Sequence, residues 1–431
     1  LYFLPPHKSP KKQNNLQVTT QVYCKLVTMS LHLLYFTCQS SHSVMLTNQK
    51  HLFNLEEGTH YLNCAYMAPL LKSVEAAGQA AIVRRREPYN ILPEHFFGDA
   101  NTLRGLFARL VHCPDPQRVA LVPSVSYGMA IVAKNLGTRP GQNIVVAQEQ
   151  FPSNVYAWHT LAQERGLKLR TIAPPDRAKD RGQLWNERLW EAIDQDTALV
   201  ALPHTHWADG TKFALGALGA RAHEVGGLLV VDGTQSVGAL DLDVNEIKPD
   251  ALVCAGYKWL MGPYSLGYAY FGEYFDHGKP LEEGWITRHN SEDFTGLVNY
   301  QPDYQPKALR YDVGERSNFI LVPMAIAALE QVLAWQPDRV QAYCAQLVQP
   351  LLEALPELGL AVEEPAWRGH HLLGLRLPPD LALDRVRATL REHRLSVSFR
   401  GSAIRIAPHL YNDERDLATL VQALQALRVP A

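Results

Sequence analysis

In the stretch "LLVVDGTQSVGALDLDVNEIKPDALVCAGYKWLMGPYSLGYAYF", residues 228–271, one apolar run ends on a carboxylate, Asp232, and the next on a lone lysine, Lys258. Ligands of an open α/β sheet bind outside the carboxyl ends of its strands, so both side chains should reach one crevice. Taken singly, such an Asp caps a turn and such a Lys is a solvated loop residue. Here Gln235 follows the carboxylate by three positions and Tyr257 directly precedes the lysine. A lysine at the edge of an apolar pocket has its ammonium disfavoured, which leaves more free amine to attack a carbonyl. A carboxylate facing a pyridine nitrogen keeps that nitrogen protonated and makes the ring an electron sink. Together the two residues describe a site for pyridoxal 5'-phosphate.

Three further segments carry candidate chemistry. In "VPSVSYGMAIVAKNL" a strand ends at Val122, and Ser124 to Gly128 turn into an apolar-periodic helix, whose first N–H groups and hydroxyls suit a phosphate. Ser126 could equally serve only as the helix cap. In "LPHTHWADGTKFAL" His204 and His206 follow another strand, and each taken alone reads as a satisfied core histidine. In "FRGSAIRIAPHLYND" Arg405 interrupts a strand that otherwise reads apolar, and a guanidinium there needs a partner; a substrate carboxylate gripped by two parallel hydrogen bonds would be one. Arg400 reads as a loop residue, and His409 is expected in the same cleft.

The elements that must position these groups follow from periodicity. From residue 117 onward, "RVALV", "QNIVVA", "LKLRTIA", "TALVALPH", "GLLVVD", "DALVCAG" and "LGYAYF" read as strands, with helical stretches such as "SNVYAWHTLAQERG" and "ALGALGARAHEVGG" between them. This is the α/β pattern of a mainly parallel seven-stranded sheet covered by helices. After about residue 320 the texture becomes α+β: a long helical region broken by a proline, then "HLLGLRLP", "ALDRVRATLREHR", "LSVSFR", "AIRIAP" and a closing helix. The Tyr-, Gln- and Asp-rich segment 296–319 between the two parts reads as a structured loop. The expected organisation is a poorly ordered extension over 1–50, a large domain over 69–319, and a smaller α+β domain from 51–68 and 320–431. Residues 1–44 lack apolar patterning and are expected to be upstream or targeting sequence ahead of a start at Met45, without function.

The chain has 431 residues, 47% hydrophobic and 19% charged, with 41 basic against 43 acidic side chains. A net charge of -2 gathers neither nucleic acid nor anionic membrane, so a small molecule is the expected partner. The apolar run "LVTMSLHLLYF" is well short of the ~20 residues a membrane-spanning helix needs. Six scattered cysteines form no CxxC pair, so no metal site or disulfide framework is expected and a cytoplasmic location is. No GxGxxG or Walker-type loop supports a plain nucleotide-binding enzyme.

The block from "VDGTQSVGALDLDV" to "GYKWLMGP" resembles the class V aminotransferase family of fold-type I enzymes, which includes cysteine desulfurase-like, isopenicillin N epimerase-like and kynureninase-like members. The resemblance implies that Lys258 binds the cofactor covalently, Asp232 pairs with its ring nitrogen and Gln235 touches its phenolic oxygen. It places Val125 and Ser126 at the phosphate, Val125 through its backbone N–H alone, with Tyr257 as a further donor. It puts Phe151 over the ring, where relatives carry an imidazole, Trp207 beside the ring and Arg405 at the substrate carboxylate. It also implies a homodimer, with Ser317 or Asn318 reaching the neighbouring phosphate site. Transamination of an amino acid or amine is the first expectation. Racemisation or epimerisation is second and carbon–sulfur or carbon–carbon lysis third, because "SVSFRGSAIRIA" lacks the cysteine that desulfurases carry just before the arginine. A non-catalytic binding protein of the same fold is the alternative outside enzymology.

Overall fold

Seven short apolar runs, most of them buried on both faces, build the central sheet. In this computed structural model, which describes residues 45–176, 179–378, 381–401 and 403–427, the strands are β1 His60–Tyr61, β2 Val119–Val122, β3 Asn143–Ala147, β4 Lys168–Ile172, β5 Thr197–Pro203, β6 Leu228–Asp232, β7 Ala251–Ala255 and β8 Gly267–Phe271. The central sheet has the order β2-β8-β7-β6-β5-β3-β4. Its strands pair in parallel from β7 through β6, β5 and β3 to β4, while β8 is antiparallel to both β7 and β2. β2 and the parallel strands therefore present their carboxyl ends along one edge, as an α/β fold with a mainly parallel seven-stranded sheet requires. The expectation of poor order over residues 1–44 lies outside the described residues. Residues 46–50, assigned to the same extension, are tied down: the Asn48 amide donates to the Asn412 carbonyl at 2.7 Å and the Gln49 N–H to the Leu410 carbonyl at 2.7 Å.

Helices fill the crossovers where periodicity placed them. The helix Tyr156–Arg165 ends on Gly166, whose φ of 68° is the left-handed cap that glycine adopts without a Cβ clash. The helix Val125–Asn135 lies so close to β7 that a Cβ on Gly128 would come within 2.6 Å of a Val253 methyl. That approach fixes the helix start at the sheet edge beside the ends of β6 and β7.

The remaining strands are β9 Leu373–Arg376, β10 Leu395–Ser396, β11 Ser398–Arg400 and β12 Ala403–Ile406. β11, β12 and β9 form an antiparallel sheet, and β10 pairs in parallel with β1. Leu62, Leu351, Leu375, Val386, Ile404 and Leu420 share an apolar core of their own, whereas Phe53, Cys64 and Ala65 join the core of the central sheet, so the segment 51–68 contributes to both. The helix Leu321–Trp335 behaves differently. It packs on the helices Lys72–Arg84 and Gly98–Leu110, and its Val322, Ala325, Leu329 and Val332 join the core that contains Val231 and Leu252 of the central sheet. Gln336, at φ 66°, and Pro337 then separate it from the helix Pro337–Ala354.

The loop over 296–319 is structured, as expected, and one carboxylate anchors it. Asp312 is fully buried and takes both Arg104 guanidinium nitrogens at 3.1 and 2.9 Å, the Leu121 N–H at 2.8 Å and Arg316 at 3.2 Å. Removing one partner of a buried ion pair leaves an uncompensated charge. Asp312→Ala should therefore lower the unfolding free energy by about 3–5 kcal/mol, read as a shifted urea midpoint. An unshifted midpoint would show that water reaches both guanidinium groups.

Candidate active site

The carboxyl edge of the central sheet holds a cavity of about 340 Å³. β6 brings Asp232, Thr234 and Gln235 to it, the turn after β7 brings Tyr257 and Lys258, the turn after β2 brings Ser124, Val125 and Ser126, and the segments after β3 and β5 bring Phe151 and Trp207. Each residue follows a strand end by a few positions, which is why strand order alone assembles the site.

Lys258 is 6% exposed, with its Nζ 5.5 Å from the centre of the Phe151 ring and 5.6 Å from that of Tyr257. Burial first, and the Arg405 cation second, bring its amine from 10.5 down to about 8, against the opposing pull of Asp232. The Asp232 carboxylate accepts the Thr234 N–H at 2.9 Å, yet burial still pushes it above the ordinary carboxylate range. A cation brought close to it would reverse that shift. Gln235 is held from both ends: its amide nitrogen donates to the Ala65 carbonyl at 3.0 Å and its oxygen accepts the Trp259 indole N–H at 2.9 Å. The amide nitrogen keeps a second hydrogen beyond that contact.

The helix cap falls on Ser124, whose hydroxyl accepts the Tyr127 N–H at 3.2 Å. Ser126 lies 2.9 Å from it, oxygen to oxygen, and as a residue of the first turn its N–H and that of Val125 have no carbonyl of their own helix to meet. The cavity thus offers an anion cradle at one end, a buried amine and a buried carboxyl at the centre, and an aromatic wall. Phe151 is 37% exposed and meets Trp207 edge-on at 5.2 Å, so it is cavity wall and not core. These features fit pyridoxal 5'-phosphate: cradle to phosphate, carboxyl to ring nitrogen, amine to aldehyde.

Arg405 does not line the cavity; it lies behind the wall residue Trp207. The residue is 1% exposed, with Nη1 donating to the Trp207 carbonyl at 2.9 Å, Nη2 to the Ser398 hydroxyl at 3.4 Å, and Nε without a partner. No carboxylate among the described residues pairs with it. Burial, then Arg400, lowers even this guanidinium to about 9.

Other expectations resolve differently. His206 sits in the core between Asp209, at 3.1 Å, and the Gln148 carbonyl, at 3.2 Å, while His204 is buried and held neutral by desolvation. Neither lines the cavity. His409, expected in the cleft, is fully buried against Trp259, Trp335 and Tyr411. The Ser317 hydroxyl donates to the Phe96 carbonyl, and Asn318 accepts the N–H groups of Ile320 and Leu321 at 3.1 and 2.9 Å, so both are engaged within the chain. Arg400 is not a loop residue: it ends β11 with its guanidinium carbon 4.9 Å from the Trp207 ring centre. Thr205, Thr234 and Tyr264 also line the cavity and were not anticipated. Thr205 and Thr234 follow strand ends closely and could have been found by that signal.

The sequence profile described as "Aminotransferase class-V" matches residues 91–399, so the chain belongs to the class V aminotransferase family, whose members depend on pyridoxal 5'-phosphate. Among curated relatives, an "Uncharacterized aminotransferase YcbU" of Bacillus subtilis (strain 168) is 27% identical over 328 residues, covering 75% of this chain and 82% of the relative. A "Probable cysteine desulfurase" of Pyrococcus abyssi is 27% identical over 327 residues, covering 72% and 78%. Of solved structures, the apo cysteine desulfurase of Thermococcus onnurineus NA1 superposes with a TM-score of 0.77 at 21% identity, over 89% of this chain and 99% of that one. The cystine C–S lyase C-DES, in complex with its product cysteine persulfide, gives 0.75 at 20% identity over 85% and 97%. The fold is that of fold-type I enzymes.

A lowered amine pKa has a measurable sign. The neutral fraction of Lys258 should reach half near pH 8, so uptake of pyridoxal 5'-phosphate by apoprotein should accelerate up to that pH and level off above it. An ordinary lysine would keep accelerating to about pH 10.4. Arg405→Met removes a repelling cation and should move the midpoint upward. Stopped-flow absorbance against pH reads both, and a midpoint near the ordinary lysine value would sink the assignment.

Proposed function

We propose that this protein is an aminotransferase acting on an amino acid or amine, with Lys258 as the catalytic residue. One observation carries the reading: a buried, partly neutral amine shares its cavity with a buried carboxyl, near a buried guanidinium that has no counter-charge among the described residues. Pyridoxal 5'-phosphate, when bound, supplies the electron sink for the pair left at the substrate's Cα. The chain's residues do the rest. Lys258 holds the cofactor and, once displaced by the substrate amine, takes and returns the Cα proton at Nζ. Asp232 would keep the ring nitrogen protonated, and Gln235 would offer its second amide hydrogen to the phenolic oxygen. Val125, through its N–H, with Ser126 and Tyr257 holds the phosphate, Phe151 stacks on the ring and Trp207 bounds it. Arg405 grips the substrate carboxylate and so orients Cα toward Lys258.

A lyase reading draws support from the relatives named cysteine desulfurase. Against it stands the segment "SVSFRGSAIRIA", which has no thiol to receive sulfur, and Cys64, Cys113, Cys254 and Cys344 are all buried. Exposed apolar side chains such as Tyr66, Leu70, Tyr89 and Leu92 support a homodimer as the working assembly. Four free cysteines support a cytoplasmic location, and no described helix is long and apolar enough to cross a membrane.

Borohydride reduction of holoenzyme followed by peptide mapping should leave a pyridoxyl tag on Lys258, and Lys258→Ala should lose the cofactor's near-visible absorbance. With a panel of amino acids, transamination converts the cofactor to its amine form, whereas lysis releases ammonia or sulfide and leaves the aldehyde form. Release without conversion would replace the aminotransferase reading by the lyase one. Arg405→Met should raise KM for the best amino acid by about 10-fold or more, the loss expected for a bidentate charged contact.

A further inference from the structure

Arg400 and Arg405 come from adjacent antiparallel strands, in a register that pairs Arg400 with Ala403 and Ser398 with Arg405. They bracket one residue. Arg405 donates to the Trp207 carbonyl at 2.9 Å, and Arg400 stacks over the Trp207 ring at 4.9 Å, the ring that meets Phe151 in the cavity wall. The Arg400 Nη1 donates only to the carbonyl of its neighbour Phe399, at 2.7 Å, and its Nε has no partner. No carboxylate among the described residues pairs with either guanidinium. Stacking fixes the plane of an arginine while leaving its N–H edge available to an oxyanion.

The charges do not balance. Asp232 acts on Lys258, whereas neither Arg400 nor Arg405 has a carboxylate against it among the described residues. An amino acid with a neutral side chain brings one anion for two guanidinium groups and leaves the second uncompensated in a half-buried wall.

We propose that Arg400 is a specificity-determining residue and that the preferred substrate is an amino acid whose side chain ends in a second acidic group, a carboxylate or sulfinate. This rests on the reading of Arg405 as the grip on the α-carboxylate. Arg405 takes that carboxylate, and Arg400, on the neighbouring strand β11 and stacked on Trp207 of the cavity wall, takes the distal one.

The test is the first half-reaction of the holoenzyme, followed by cofactor absorbance, with the near-isosteric pairs aspartate and asparagine, and glutamate and glutamine. Wild type should favour the acidic member of at least one pair by about 10- to 100-fold in kcat/KM, the worth of a charge-assisted contact. Arg400→Met, which keeps apolar bulk over Trp207, should collapse that preference toward one through KM for the acid, and Arg400→Lys should restore part of it. Absence of a preference in wild type, or an equal loss for acid and amide in Arg400→Met, would overturn the inference and leave the aminotransferase reading standing. No spectral change with any amino acid would overturn both.

Discussion

The site depends on keeping an amine uncharged in a place that would otherwise hold an ammonium. Lys258 is buried, and the charge that most shapes its titration is another cation, Arg405. Both effects disfavour the protonated form, and the main opposing pull is that of Asp232. A protein that needed Lys258 for stability would have paired it with a carboxylate; this one places it against aromatic rings and leaves the neighbouring guanidinium with only neutral acceptors. Each of these choices costs stability, since buried charge without a counter-ion is unfavourable. Such an arrangement makes sense where ligands complete the charge balance: a ring nitrogen for Asp232, an aldehyde for Lys258, a carboxylate for Arg405.

Structural charges in the same chain are treated in the opposite way. Asp312 is saturated by Arg104, Arg316 and a backbone N–H. Arg181 meets both Asp209 and Glu363, at 2.8 and 3.2 Å, where the segment after β5 faces the segment before β9. Those pairs are closed and stiffen the frame around the cavity. The contrast between closed pairs in the frame and open charges at the sheet edge separates structural from functional ionisable groups without appeal to any relative.

Much of this was legible because the site is built from strand ends. Apolar runs buried on both faces stand out in composition, and a residue at or just past the end of such a run projects at the sheet edge, as Asp232, Lys258 and Phe151 do. What failed to show is equally physical. Nothing in "LGYAYF" tells that β8 runs antiparallel; its direction comes from a tight return in which Met261 and Ser265 adopt positive φ. The helix Leu321–Trp335 is apolar enough that its sequence does not say which core it faces. Ser124 and Ser126 are two positions apart, and only backbone geometry tells which one caps. Arg400 looked like a loop residue because spacing does not reveal strand register, and register is what swings it over Trp207. His409 was misplaced into the cleft for the same reason: the chain leaving β12 turns its ring beneath Trp259.

The reaction itself is decided by what surrounds the shared machinery. The lysine, carboxyl and phosphate cradle can labilise a Cα proton in any member of such a family, so they carry the cofactor assignment and say little about the outcome. Outcome is set on the remaining faces of the substrate. On the ring face, Phe151 offers no proton donor or acceptor, so a group that must be protonated as it leaves finds no acid there. At the arginine end, the segment "SVSFRGSAIRIA" offers guanidinium groups where a sulfur acceptor would need a thiol. In the proposed reading both departures weigh against routes that eject part of the side chain, and both leave the single base that a proton shift between positions flanking the amine would require. The proposed acidic-substrate preference would fit the same logic, because a side chain anchored at its far end by Arg400 would be held in place during that shift.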